Sequence, residues 1–430
     1  MKNKKILIVS HQFLPHISPR TTRWSLLIDE LIDRGHEVTV LSGTKPDNIQ
    51  KKYKHLYFGN KEISSNISRI RKNSQNSSNG FIKKIIYSGL KKIYRFVFKT
   101  FSWPDYAMLW VITILKNKKH IKNDYDVIIS VSLPFTSHLC AYIIHKKIKA
   151  DWFMDIGDPF TLKLDSPENN KFIYSFLNNF YERKFYQTAS KIIFTHEEVA
   201  KLHQSKFNID SKKITIGYPI ASISKETITI ARNFNYALTP FKIGYFGAFT
   251  KSVRDPKNYL SNIANHFDEN FEHEWYINEE SKKFFNSVKN VSSHKFHDIV
   301  PREQAIKVMT TEIHVLLSIG NLNKYQLPSK VFEYLSLGKP VLHFAEIRED
   351  PLYKFESSFE NLKEDYDDKY EFIFPDLVYD TNLFSNDKIG NIDYRSNIII
   401  KNYDTDKLTK FFVNDFDWKF KDFYYPSGIK

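Results

Sequence analysis

Hydrophobic and polar positions alternate between two periods along this chain. Residues 6–10 open with a short, continuous apolar run, the pattern of a strand buried on both faces. After a polar loop, Trp24, Leu27, Ile28, Leu31 and Ile32 recur at helical spacing, and Gly35 follows the last turn as a stop signal. Residues 37–41 then read as a second strand. Strand, helix and strand in close succession predict a βαβ unit, which opens a doubly wound parallel sheet. Further strands are expected at 126–131, 152–155, 191–195 and 213–217, with a helix over 136–147.

A stretch rich in Asn, Ser and Thr, residues 221–239, reads as a linker. The pattern restarts with a strand at 241–247, then a helix around 256–266 and strands at 274–277, 314–318 and 340–343. A helix over 330–337 is stopped by Gly338 and followed by Pro340. The expected fold class is therefore α/β, with one domain over 1–220 and a second over 240–400. Beyond Asp350 the chain turns acidic and aromatic, and a helix over 404–416 is expected to return to the first domain.

Length agrees, since 430 residues exceed one ordinary core and suggest two domains of ~200 residues. A hydrophobic content of 42% is enough to fill both, which excludes a disordered chain. Lys and Arg number 63 against 49 Asp and Glu, and the resulting charge of +14 attracts nucleic acid, acidic lipid or phosphorylated small molecules. Cys140 is the sole cysteine, so an internal disulfide or a cysteine-based zinc site is excluded. No secretory signal core is readable, and the longest apolar stretch, 106–115, is about half a membrane span. A cytoplasmic protein, peripheral on the inner face of the membrane, is the expectation.

The densest chemical signal runs from Gln326 to Leu342. Pro328 presets a turn, Ser329 suits an N-cap, and Lys330 falls in the first helical turn. Lys330 and Glu333, three apart, project from one face near the helix start. Backbone N–H groups, helix dipole and Lys make an anion site, while a carboxylate one turn on can accept from ribose hydroxyls. The same spacing also suits a solvated Lys–Glu surface pair.

This segment resembles the donor-binding segment of glycosyltransferase family 4. Other marks of the resemblance are Arg20-Thr-Thr-Arg23-Trp24-Ser, Arg34-Gly35-His36-Glu37-Val38, Trp103-Pro104-Asp105, Ser132-Leu-Pro134, Asp155-Ile-Gly-Asp158-Pro159 and Gly244-Tyr-Phe-Gly247 with Arg254. The resemblance implies a GT-B fold, two Rossmann-like domains facing a central cleft, and a sugar moved with retention from a nucleotide diphosphate donor. It implies that Arg254 and Lys330 meet the diphosphate, that Glu333 holds the ribose, and that Gly247 lets the backbone pass close to the phosphates. No cofactor or metal is implied, because two cations stabilise the departing diphosphate. Main-chain groups near 297–300 would flank the base. The chain departs from the family at Tyr325, where many relatives carry a second carboxylate, and at Gly217-Tyr218-Pro219, where an Asn-Gly pattern is usual.

In the first domain Asp155 and Asp158 are the acid/base candidates, at the carboxyl end of a strand where open α/β sheets place ligands. Arg20 and Arg23 suit an acceptor's anion, and His138, with His11, is a candidate to face the cleft. An Asx turn before Pro159, a solvated helix start and ordinary core histidines explain the same residues. Residues 81–103 repeat Ile, Leu and Phe at helical spacing with Lys83, Lys84, Lys91, Lys92, Arg95 and Lys99 and no acid. Such a segment reads as a membrane-surface helix or as a core helix with a solvated basic face. The expected partners are a nucleotide-sugar, a lipid-linked or glycan acceptor in capsule, O-antigen or exopolysaccharide synthesis, and an anionic membrane, with no nucleic acid. A catalytically inactive GT-B-like scaffold and a basic nucleic-acid-binding protein are the rival readings.

Overall fold

The computed structural model describes residues 3–352 except 17, 48–50, 60–98, 164–166, 218, 220–222, 236–237, 239, 252, 263–270, 287–292, 338, 340, 345 and 348–349. The chain divides into two compact units that meet between residues 218 and 219. The helix expected over 404–416 and the basic segment up to residue 98 lie outside the described residues.

Among the described residues the first unit holds seven strands: β1 (Lys5–Val9), β2 (Glu37–Ser42), β3 (Lys54–Tyr57), β4 (Val127–Val131), β5 (Asp151–Ile156), β6 (Lys191–Phe194) and β7 (Ile214–Ile216). All pair in parallel, in the order β3-β2-β1-β4-β5-β6-β7. Its helices are α1 (Pro19–Asp33), α2 (Leu109–Asn117), α3 (Thr136–His145), α4 (Lys171–Thr188) and α5 (Glu197–Phe207). α1 begins where the sequence dictates: Pro19 follows an extended Ser18 whose side chain accepts from the Thr21 N–H in a capping box. Its inward stripe of Trp24, Leu27, Ile28 and Leu31 is fully buried, and β1 and β4 are apolar on both faces because helices cover both sides.

The second unit continues with α6 (Lys225–Arg232), β8 (Phe241–Phe246), α7 (Lys257–Asn262), β9 (Phe271–Tyr276), α8 (Glu279–Lys282), β10 (His294–His297), α9 (Arg302–Thr311), β11 (Val315–Ile319), α10 (Ser329–Leu337) and β12 (Val341–Phe344). The strands form a parallel sheet in the order β10-β9-β8-β11-β12. Tyr245, Phe249, Tyr259, Trp275, Phe285, Leu317 and Leu342 pack into one core.

The stretch expected as a linker instead carries α6, which packs on α9 and α10. Ser224 caps it by accepting from the Thr227 N–H, and Ala231 is fully buried. Just past its end Phe234 lies under the ammonium of Lys339, 3.3 Å from the ring centroid, while that ammonium donates to the Ile313 carbonyl. A cation–π contact and a main-chain bond fasten what composition alone reads as loose. Among the described residues no helix is long and apolar enough to cross a membrane.

Candidate functional site

In an open parallel sheet the strand order reverses at one place, and the crevice beyond the carboxyl ends of the strands flanking it is where ligands bind. The two units have such places between β1 and β4 and between β8 and β11.

In the second unit the loop after β8 carries Arg254 across this gap. Its Nε and Nη2 donate to Asn321 Oδ1, beyond β11, at 3.2 and 2.8 Å, and Nη1 donates to the Tyr245 hydroxyl at 3.4 Å. Asn321 in turn donates to the Gln326 carbonyl at 2.8 Å, which fixes the turn that leads into α10. The Tyr334 hydroxyl accepts from the Phe246 N–H at 3.2 Å, so the helix is clamped to the end of β8. Lys330, half-buried in the first turn of α10, sits in the field of Glu333, Arg302 and Arg254. Burial lowers its pKa, Glu333 opposes that, and Arg302 and Arg254 add to it. Arg254, far from Lys330 and Glu333 in sequence, thus lies in one electrostatic neighbourhood with them. Gly247 follows β8 and donates its N–H to the Tyr276 carbonyl at 3.1 Å. A Cβ there would come 3.1 Å from the Tyr245 hydroxyl, the group that receives Arg254. The glycine leaves space for that hydroxyl as well as for any ligand.

One member of this group is absent from the sequence expectations. Arg302, the first residue of α9, donates from Nε to Glu333 Oε1 at 2.7 Å. The Glu333 side chain is 13% exposed and Arg302 is 44% exposed, so the arginine closes over one oxygen of the carboxylate. The only sequence signal is Pro301-Arg302 at a helix start, which says nothing of a partner 31 residues away. Tyr325, at the position of the missing carboxylate, donates its N–H to Asn323 Oδ1 at 3.1 Å.

In the first unit the same gap is bridged by Arg20 from the start of α1. Its Nη1 donates to the Leu133 carbonyl, beyond β4, at 2.7 Å, and its Nη2 lies 3.9 Å from Asp158 Oδ2. Both side chains stay about a quarter exposed, at 24% and 28%. His11 lies edge-on to Trp110 and Tyr106, at 5.1 and 5.9 Å between ring centroids, and burial brings its pKa down to about 4. Asp105 is fully buried and accepts from the Thr136 N–H and hydroxyl, at 2.9 and 2.6 Å, and from the Ala107 N–H at 2.9 Å. A carboxylate at the N-terminus of α3 complements the helix dipole and anchors the helix.

Three expected roles are corrected here. Asp155 is fully buried, with Oδ1 receiving Arg23 Nη1 at 3.0 Å and Oδ2 receiving Trp24 Nε1 at 2.7 Å. With both oxygens held, it ties α1 to β5 and is not the open acid/base that was expected. Arg23 is committed to the same pair, and a Cβ at Gly217 would collide with its guanidinium, so it offers no site for an acceptor's anion. His138 has no exposed surface; its Nδ1 is hydrogen-bonded to Ser130 Oγ at 2.7 Å, and burial together with Arg20 lowers its pKa to about 3. It is a neutral core residue. Arg20 and Asp158 are left as the exposed pair at the carboxyl edge of the first sheet.

Two α/β units, each built on a parallel sheet, place the chain in the class of the GT-B fold. The structure of Anabaena Alr3699/HepE in complex with UDP-glucose is similar with a TM-score of 0.51 and 11% identity, covering 96% of this chain and 100% of that one. A glycosyltransferase from Rickettsia africae ESF-5 gives 0.47 at 11% identity, covering 97% and 98%. Sucrose-phosphate synthase from Thermosynechococcus elongatus gives 0.49 at 9%, covering 79% and 80%. At such identities the likeness is one of fold. No curated protein matches the chain. Residues 22–221, a little under half of the chain, match the family described as Glycosyltransferase Family 4.

Proposed function

We propose that this protein moves a sugar from a nucleoside diphosphate donor to a hydroxyl of a glycan or lipid-linked acceptor in surface-polysaccharide synthesis. The donor binds the second unit and the acceptor the first; transfer proceeds with retention and without a metal, at the cytoplasmic face of the membrane. The observation that carries the reading is the gathering of Arg254, Lys330 and Arg302 around the single carboxylate of Glu333. Burial makes the Lys330 charge costly, and the nearby Arg302 and Arg254 add to that cost. A diphosphate supplies the missing negative charge, and more of it develops on the leaving group as the glycosidic bond breaks. Arg302 holds one oxygen of Glu333 and leaves the other for a ribose hydroxyl. Asp158, tethered near Arg20, is the residue of the first unit that can orient an acceptor hydroxyl or take its proton. The family match and a relative of like fold, Anabaena Alr3699/HepE, bound to UDP-glucose, agree with this reading.

The test begins with a thermal-shift titration of UDP, GDP and ADP, followed by turnover of the matching nucleotide-sugars with and without a chelator. At least one nucleotide is expected to stabilise the protein, and the chelator to leave turnover unchanged. Arg254→Ala and Lys330→Ala should lower turnover, each by roughly 10- to 1,000-fold, the range for removing a donor to developing charge. Glu333→Ala should weaken nucleotide binding. Wild-type kinetics in all three variants would remove the donor site. A second reading, a catalytically inactive scaffold, is favoured by Tyr325 in place of a carboxylate; nucleotide binding without turnover of any donor supports it.

A further inference from the structure

α4 has one side buried and the other bare. On the inner side Asn178 accepts from Trp103 Nε1 at 3.0 Å, Tyr181 packs on Trp103 with ring centroids 4.8 Å apart, and Phe185 is fully buried. On the outer side Phe172 is 98% exposed and Phe176 79%, with Ile173, Leu177 and Phe180 between 36% and 51% exposed. At 100° per residue these five fall within an arc of roughly 140° and about 12 Å of helix. Phe101, 73% exposed, adjoins them, because Asn170 donates to Thr100 Oγ1 at 3.2 Å and the Tyr174 hydroxyl donates to the Thr100 carbonyl at 2.7 Å. Such an apolar patch on an outer helix face marks an interaction surface.

We propose that this face of α4, with Phe101, docks the protein on an anionic lipid bilayer. The charges around it select that partner. α4 carries the cations Lys171, Arg183 and Lys184, and its one acid, Glu182, is buried where it accepts from the Thr161 N–H and the Tyr186 hydroxyl. The Lys184 ammonium lies 5.5 Å from the Phe180 ring, at the margin of the apolar stripe. Lys99, next to Thr100, adds a further cation. Two copies meeting by this face would bring like charges together. An anionic bilayer offers apolar depth for the aromatic rings and negative headgroups for the cations around them. The inference deepens the reading of a lipid-linked acceptor, yet its test needs no turnover.

The experiment sediments the full-length protein with vesicles of phosphatidylcholine, alone or mixed with phosphatidylglycerol. Binding to the mixed vesicles, weakened by salt and reduced at least about tenfold by Phe172→Ser/Phe176→Ser, is the expected result. A Phe172→Cys variant carries an environment-sensitive dye selectively, since Cys140 is buried, and the dye should shift to the blue on the same vesicles. Equal binding to both vesicle types, or binding with the dye unmoved, overturns the proposal. So does a wild-type protein that ignores vesicles but self-associates through these phenylalanines in sedimentation equilibrium. The nucleotide thermal shift of the double variant should equal that of the wild type. A wild-type protein that shows a nucleotide shift but no vesicle binding counts against docking alone, and one that binds the mixed vesicles without any nucleotide shift counts against the donor site alone.

Discussion

The sharpest division between holding and chemistry falls on Asp155. A carboxylate at the carboxyl end of a central strand is where an acid or base would stand, yet both oxygens are engaged, at 3.0 Å by Arg23 and at 2.7 Å by Trp24. In Asp155→Asn the side chain keeps its shape, loses its charge, and presents an NH2 to one of two donors. The Arg23 guanidinium, 7% exposed, is left buried without a counter-charge. Removing one partner of a buried ion pair costs ~3–5 kcal/mol. For a unit of about 220 residues each kcal/mol lowers the melting temperature by ~2–4 °C, so the expected drop is roughly 6–20 °C. The assay is thermal and urea unfolding of the variant beside Arg23→Met and the double substitution Arg23→Met/Asp155→Leu. An apolar pair of similar volume should recover most of the loss, because it removes both buried charges. If Asp155→Asn unfolds within 2 °C of the wild type and loses turnover by ~100-fold or more, the reasoning is wrong and Asp155 takes part in chemistry.

Other consequences can be measured separately. Gly217→Ala should cost ~1–3 kcal/mol, because its Cβ would meet the Arg23 guanidinium and lie 2.7 Å from Ile193 Cγ2; urea midpoints check it. Arg302→Ala should raise the dissociation constant of the nucleotide several-fold with a smaller loss of turnover at saturation than Arg254→Ala or Lys330→Ala, since its guanidinium is bound to Glu333. Burial raises the pKa of Glu346 from 4.5 to about 7, against a hydrogen bond from Asn258 at 2.7 Å. A carboxyl whose folded pKa is raised contributes stability below pH 4.5 that is lost as pH rises through about 7. Glu346→Gln should therefore flatten the fall in stability between those values and leave the protein more stable than wild type at pH 8, as read by urea midpoints across pH.

What could be read from sequence tracks how locally each feature is determined. β1, β4 and β8 are apolar runs with obvious neighbours, and α1 carries a capping residue, a proline and a buried stripe. β3 and β10, Lys-His-Leu-Tyr and His-Lys-Phe-His, escaped because an edge strand needs no apolar run. α4 escaped because its aromatics lie on opposite sides, one buried and one bare, and blur the helical period. The site divides in the same way. Lys330 and Glu333 are neighbours on a helix, and their spacing announces them. Arg302 and Glu333 are 31 residues apart, and Arg23 and Asp155 are 132 apart; no spacing records either pairing.

The two units solve one problem in the same way and then diverge in charge. At each switch point the arginine comes from the segment that follows the first of the two flanking strands and donates to the loop beyond the other: Arg20 to Leu133, Arg254 to Asn321. The bridge ties together the two loops that diverge beyond the carboxyl ends of the paired strands. On the first sheet the nearest exposed charge to that arginine is a carboxylate, Asp158, so the edge is close to neutral and suits a hydroxyl that must give up a proton. On the second sheet the arginine has Lys330 and Arg302 for neighbours, and the edge is cationic. Under the proposed function, a group that departs with growing negative charge is stabilised at the second edge, and a hydroxyl is activated at the first. The proposed direction of transfer, from an anionic donor on the second unit to an alcohol on the first, rests on that difference in charge and not on the shared fold.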